Sequence, residues 1–279
     1  MPVAPHRPSP LDAIFKVNKP LIGNVHCAPL PGTPRYKGEP MAAIAERAIQ
    51  DAQAYAAGGM NGLLIENHGD IPFLPPGEIG PEIVAAMSVV VKAVAEAVDL
   101  PFGLDLLAND AIGALAIAKA TGARFIRVNQ WVNAYVANEG LVQGESGRAL
   151  RYRRMIGADD VAIFADVHVK HGAHAIVGDR GVAELARDTE FYDADVAIAT
   201  GNRTGDSVPA EEIRDVRSGT SLPVIAGSGL AKDNAVSLLT DLDGAIIGSS
   251  LKHDGVWWNQ VDPARVDAFV AEVRRHHPA

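Results

Sequence analysis

Between residues 21 and 248, short runs of Val, Ile, Leu and Ala alternate with longer stretches whose apolar positions recur every three or four residues. The short runs read as strands buried on both faces, and the longer stretches read as amphipathic helices laid over them. The first strand spans residues 21–26. A loop holding Pro29, Pro31 and Pro34 follows, then a helix over 41–57 with Ile44, Ala48, Ala52 and Tyr55 on one face. A second strand covers 62–67, and the helix over 81–98 aligns Ile83, Met87, Val90, Val91 and Val94. Further strands are predicted at 101–107, 124–129, 161–169, 195–200, 223–227 and 244–248. The helices between them fall at 110–120, 145–155 (after a longer loop), 182–188 and 209–216, and one more is capped by Asp233. The last helix starts at Asp262-Pro263, an N-cap residue followed by proline in the first turn.

Eight strands alternating with eight helices at a mean spacing of ~30 residues predict a closed (β/α)8 barrel, the TIM barrel, rather than two domains. Residues 1–20 form an N-terminal tail with a short helix at 11–15 that closes the barrel floor, and residues 21–279 form the barrel.

Composition narrows the partners. Of 279 residues, 48% are hydrophobic, enough for a large core, and 25 basic against 34 acidic residues give a net charge of −9. Without clustered Lys and Arg, and with aromatics at only 5%, a nucleic-acid partner is excluded. No apolar run approaches the ~20 residues of a membrane span. The opening stretch is proline-rich and lacks the apolar segment of a secretory signal. A single thiol, Cys27, fits a reducing, cytoplasmic setting, and its parity turns it toward the helices.

In TIM barrels the active site lies at the C-terminal ends of the strands, and period-2 alternation says which side chains point inward there. The first strand offers Asn24 and His26, the second Glu66, the third Asp105, and the fourth Arg127 and Asn129. On the fifth, Asp166, His168 and Lys170 share one parity, and His171 follows. Unpaired charge is expensive to bury, so this concentration of charge at one end of several strands marks a site. The last two strands end in Gly227-Ser228-Gly229 and Gly248-Ser249-Ser250. These are the positions where barrels commonly present backbone N–H groups to a phosphate. Glycine lets the backbone approach the ligand, and the serine hydroxyls are expected to add donors. Thr200 and Thr204, in the glycine-rich loop after the sixth strand, are candidate ligand contacts. Trp257 and Trp258 are expected to pack under the barrel or at a subunit contact.

Several segments resemble the BtpA/SgcQ family: GNVHCAPLPG over Gly23 to Gly32, with Pro34-Arg35-Tyr36; Ile65-Glu66-Asn67 with Asp70 to Phe73; Phe125 to Asn129; Arg151 to Arg153; Asp166 to His171; Thr200-Gly201 with Thr204-Gly205; and the two glycine–serine ends. They run in order through nearly the whole chain. Departures fall at Asn24 and Cys27, where larger apolar residues are expected, and around residues 143–148. The resemblance implies a phosphate-binding, ribulose-phosphate-binding-barrel-like fold and adds Asn67 to the candidate site. The family takes one name from photosystem I biogenesis and another from a sugar-metabolism operon, so it implies less about activity.

The first functional reading is an enzyme acting on a small phosphorylated sugar or sugar-like metabolite by lyase, isomerase or glycosyl-transfer chemistry. The phosphate would sit on the last two strand ends, with Glu66, Asp105 or Asp166 as general base and His168 as proton shuttle. Lys170 would act as an electrophilic cation or a Schiff-base nucleophile. No cofactor is required, and a homo-oligomer is expected. The alternatives are a metal-dependent hydrolase with a divalent ion on His26, Glu66, Asp105, Asp166, His168 and His171, and a non-catalytic assembly factor.

Overall fold

The computed structural model describes residues 9–201 and 207–278. Helix α1 (Pro10–Phe15) precedes β1 (Leu21–His26), α2 (Met41–Ala57), β2 (Gly62–Glu66), α3 (Pro81–Ala97), β3 (Phe102–Asp105), α4 (Ala111–Thr121) and β4 (Phe125–Val128). Next come β5 (Ala134–Ala137), β6 (Gly140–Gln143), α5 (Ser146–Met155), β7 (Ala162–Asp166), α6 (Val182–Phe191), β8 (Val196–Ala199) and α7 (Ala210–Gly219). The chain continues through β9 (Val224–Ala226), α8 (Ala235–Leu238) and β10 (Gly244–Ile247) to α9 (Pro263–His276). Eight parallel strands close in the order β1-β10-β9-β8-β7-β4-β3-β2. The chain is a TIM barrel.

Alternation along the strands stacks two layers inside the barrel. The lower layer is apolar: Ile22, Leu64, Phe125, Phe164, Val196, Ile198, Ile225 and Ile246 pack with Leu11, Ile14 and Phe15 of α1, which close the N-terminal end. Phe125 stacks on Phe164 at 4.4 Å, and Phe15 meets Phe125 edge-on at 5.8 Å. Glycine makes room for these rings, since a Cβ at Gly62 would lie 2.4 Å from the Phe15 ring and one at Gly103 would lie 2.5 Å from Phe125. Two residues further along the strands, the same inward rows carry Asn24, Glu66, Asp105, Arg127 and Asp166, all buried. A floor of hydrocarbon therefore supports a ceiling of charge.

Two elements differ from the sequence reading. The long loop after β4 contains an antiparallel hairpin, β5–β6, joined to the loop after β7 by the Val136–Ala173 bridge. Helix α8 is a four-residue turn that starts after Asn234 rather than at Asp233, with the Asn234 side chain accepting from Ala231 N–H at 2.8 Å. The loop after β10 is tied to α2 by a fully buried pair, Lys252 Nζ to Asp51 Oδ2 at 2.9 Å, while Asp51 Oδ1 accepts from Val261 N–H. Among the described residues, no helix is long and apolar enough to cross a membrane.

Candidate active site

The C-terminal strand ends open on a cavity of about 840 Å³. Asn24, His26, Glu66, Asp105, Arg127 and Asn129 face it from the first four barrel strands and their ends, with Lys170 and His171 from the loop after β7. A fork of two hydrogen bonds fixes the centre: Arg127 Nε donates to Asp166 Oδ1 at 3.0 Å and Nη2 to Oδ2 at 2.9 Å. Arg127 Nε also lies 3.8 Å from Asp105 Oδ2, to which the Asn129 amide donates at 3.3 Å. Asn24 Nδ2 donates to Glu66 Oε2 at 2.8 Å, and His68 Nδ1 lies 2.6 Å from Glu66 Oε1. Two buried oxygens in this ceiling have no protein partner among the described residues, Asn24 Oδ1 and Asp105 Oδ1.

The charges divide the labour. Burial pushes the Glu66 carboxyl upward, but the His68 hydrogen bond and the nearby His68, His26 and Arg127 outweigh it, holding Glu66 well below its usual range. Asp105 goes the other way, because burial and its neighbours Glu66 and Asp166 favour the neutral acid more than Arg127 and Asn129 oppose it. Burial and the Arg127 cation bring Lys170 down to about 8, against the pull of Asp166, Glu66 and Asp105. Burial also lowers His26 to about 3, so its ring is neutral at ordinary pH. Since the lowered value means that Lys170 loses its proton as pH rises through about 8 rather than 10.5, acylation of Lys170 is expected to reach half its maximal rate near pH 8. Peptide mass spectrometry after pulse labelling measures this, and a midpoint near 10.5 would mean that the amine is hydrated.

At the other side of the mouth, Gly227, Ser228, Gly229, Leu230, Gly248, Ser249 and Ser250 line the same cavity. Among the described residues, the N–H groups of Gly229, Leu230, Ser249 and Ser250 meet no protein acceptor. Gly229 has φ +73°, a left-handed conformation suited to glycine. The serine hydroxyls are not the donors expected of them as a set. Ser228 Oγ donates to Thr200 O and Ser250 Oγ to Leu230 O, each at 2.6 Å, which leaves only the Ser249 hydroxyl without a partner among the described residues.

Other expected site residues hold the scaffold instead. Asp166 lies beneath the cavity, closed off by the Arg127 fork, and is not placed to act as a base. His168 stacks on His174 at 3.8 Å, outside the cavity lining, so the structure gives no support to a proton-shuttle role. Asn67 clamps β2 to β3, accepting from Leu107 N–H and donating to Asp70 Oδ2. Thr200 Oγ1 accepts from Lys170 N–H and sits 3.1 Å from His168 O, tying two loops rather than facing a ligand. Thr204 lies outside the described residues. The six ligands suggested for a metal do not converge: only His26 and Glu66 come together, and the third member of their cluster is His68.

His68, Phe73, Tyr135 and the Trp257–Trp258 pair also line the cavity. Trp257 is not under the barrel; it meets His68 edge-on at 4.4 Å, and its carbonyl lies 3.0 Å from His26 Nδ1. His68 had a readable signal, since it follows Glu66 by two residues. The tryptophans had none, because their position depends on a loop that crosses the mouth.

A parallel eight-stranded barrel with its charged cavity at the C-terminal mouth places the chain among the TIM barrels. Its solved structural neighbours agree on the fold: phosphoribosyl anthranilate isomerase from Thermus thermophilus (TM-score 0.56, 14% identity, 92% of this chain and 98% of that one) and N-acetylmannosamine-6-phosphate 2-epimerase from Clostridium perfringens (0.54, 14%, 90% and 93%). The family is closer. The BtpA family model matches residues 17–275, and the chain belongs to the BtpA family. It is 40% identical over 258 residues to the photosystem I biogenesis protein BtpA of Synechocystis, covering 92% of this chain and 88% of that protein. An uncharacterized protein of Archaeoglobus fulgidus is 39% identical over 254 residues (91% and 98%). An uncharacterized protein of Caenorhabditis elegans, 36% identical over 266 residues (93% and 95%), carries "mitochondrial" in its name, so the compartment suggested by a lone thiol does not extend across the family.

Proposed function

We propose that the protein is an enzyme that holds a small phosphorylated sugar or sugar-like metabolite by its phosphate and moves a proton on the sugar body. The observation that carries this reading is the set of four backbone N–H groups, at Gly229, Leu230, Ser249 and Ser250, that meet no acceptor among the described residues, on one wall of a cavity with buried charge on its ceiling. Amide donors suit a phosphate because they offer fixed partial positive charge with no counter-ion to displace. Two of the fold neighbours are named for phosphorylated compounds.

Fixing one end of a substrate orients the other for reaction. Among the described residues Asn24 Oδ1 lacks a donor and Asp105 Oδ1, which carries the acid proton because Oδ2 accepts from Asn129, lacks an acceptor; sugar hydroxyls supply both. Asp105, favoured as the neutral acid, gives a proton, and Lys170, half deprotonated near pH 8, takes one. Arg127, held by Asp166, orients the pair and offsets charge that develops on oxygen. An assembly role alone gives no account of two buried oxygens that lack a partner among the described residues in a polar cavity.

Incubation with a panel of aldose and ketose phosphates, followed by mass spectrometry, tests the reading. Conversion of a phosphorylated compound is expected, with none of its dephosphorylated counterpart; equal conversion of both would contradict it. Asp105→Asn replaces one neutral group by another, so folding stability should change by less than about 1 kcal/mol. Turnover should fall ~100-fold with phosphate affinity unchanged. An unaltered rate would remove Asp105 as the proton donor.

A further inference from the structure

We propose that His26, Glu66 and His68 form a binding site for one divalent transition-metal ion, a site that goes beyond the anion reading and stands independently of it. One ring nitrogen of each histidine and one carboxylate oxygen of Glu66 all lie within 4.8 Å of one another. Ligand atoms on a single ion sit roughly 3–4 Å apart, given bonds of about 2.0–2.2 Å, so shifts of well under an ångström per ligand close the set.

Three features distinguish this cluster from a simple ion pair. The Trp257 carbonyl can only accept, so His26 donates through Nδ1–H and keeps the Nε2 lone pair for a ligand. This is the arrangement in which a backbone carbonyl orients a metal-binding imidazole. Glu66 is oriented in turn: the Asn24 amide donates to Oε2, and Oε1, now 2.6 Å from His68 Nδ1, is the oxygen a bound ion would take as that contact opens. Finally, Asn24 Oδ1, on a side chain more than nine-tenths buried, reaches no donor among the described residues beside this carboxylate. An amide oxygen there offers a fourth ligand atom, direct or through water. Two imidazoles and a carboxylate suit zinc, cobalt, manganese or ferrous iron; magnesium and calcium prefer sites made wholly of oxygen.

The cluster faces the same cavity as Asp105 and Lys170, so a bound ion would polarise a carbonyl or hydroxyl oxygen of a molecule held there. His68 packs edge-on against Trp257 and Phe73, which shields that side of the cluster.

Cobalt(II) titration of the chelator-treated, full-length protein tests the site directly. One equivalent is expected to bind with a visible d–d absorption band, and zinc should displace it while a large excess of magnesium should not. His26→Ala and His68→Phe should each weaken binding by ~100-fold or more, the loss expected when one of three protein ligands is removed. His253→Ala, at an exposed histidine outside the cavity, should change nothing. Because His26 is buried and its variant can misfold, His68→Phe is decisive, with unchanged circular dichroism as its control. Less than a tenth of an equivalent in the wild type, or wild-type affinity in folded His68→Phe, would overturn the proposal.

Discussion

Asp166→Ala is expected to destabilise the folded protein by about 3–5 kcal/mol, the usual loss when one partner of a buried ion pair is removed. Asp166 accepts both arms of the Arg127 fork, and Arg127 is only 4% exposed, so the guanidinium would be left in the barrel without its main counter-ion. Some recovery is built in. Asp105 Oδ2 lies 3.8 Å from Arg127 Nε, and a freed guanidinium would draw that neutral carboxyl into ionising. Asp166→Ala should therefore be most destabilised in acid, where Asp105 stays protonated and cannot replace the lost charge. Arg127→Met should be at least as damaging, since it leaves the carboxylates of Glu66 and Asp166 without their shared cation. Urea unfolding followed by circular dichroism across pH measures both. A loss below about 1 kcal/mol would mean that water reaches the pair and screens it, as at exposed ion pairs.

Ser249→Asp should weaken binding of any phosphate-bearing ligand by at least ~100-fold, or about 2.7 kcal/mol, because it places a carboxylate where the amide donors converge. Ser249 is half-buried and its hydroxyl has no partner among the described residues, so the fold should tolerate the change. Ser249→Ala should lose only the ~3–10-fold of one hydroxyl contact, since the backbone N–H remains. Calorimetric titration with a pentose phosphate separates the two. Equal, small effects for Ala and Asp would place the phosphate elsewhere.

The barrel was legible because the signal that specifies it is local. Inward rows such as Ile22-Asn24-His26 and Leu64-Glu66 switch from apolar to polar within the last three residues of each strand, and alternation alone assigns both layers. The same rule failed where the strand stopped. Strand β7 ends at Asp166, so parity no longer governs His168, which turned to stack on His174. Lys170 reached the cavity through the loop's path rather than by alternation. Asn67 and Thr200, each one residue past a strand, were drawn into backbone hydrogen bonds that stitch neighbouring loops. The β5–β6 hairpin was missed because its four-residue strands gain a partner from Ala173, a contact distant in sequence. The Lys252–Asp51 pair joins residues 201 positions apart, and neither residue hints at the other.

The central claim is that the turns after β9 and β10 form one anion site, and a crystal grown with inorganic phosphate, or soaked with a sugar phosphate, tests it most directly. Density for the anion is expected within hydrogen-bonding distance of the N–H groups of Gly229, Leu230, Ser249 and Ser250, with the sugar directed toward Asp105. A phosphate seated away from these four amides, or a sugar phosphate that leaves the turns empty at saturating concentration, would contradict the account.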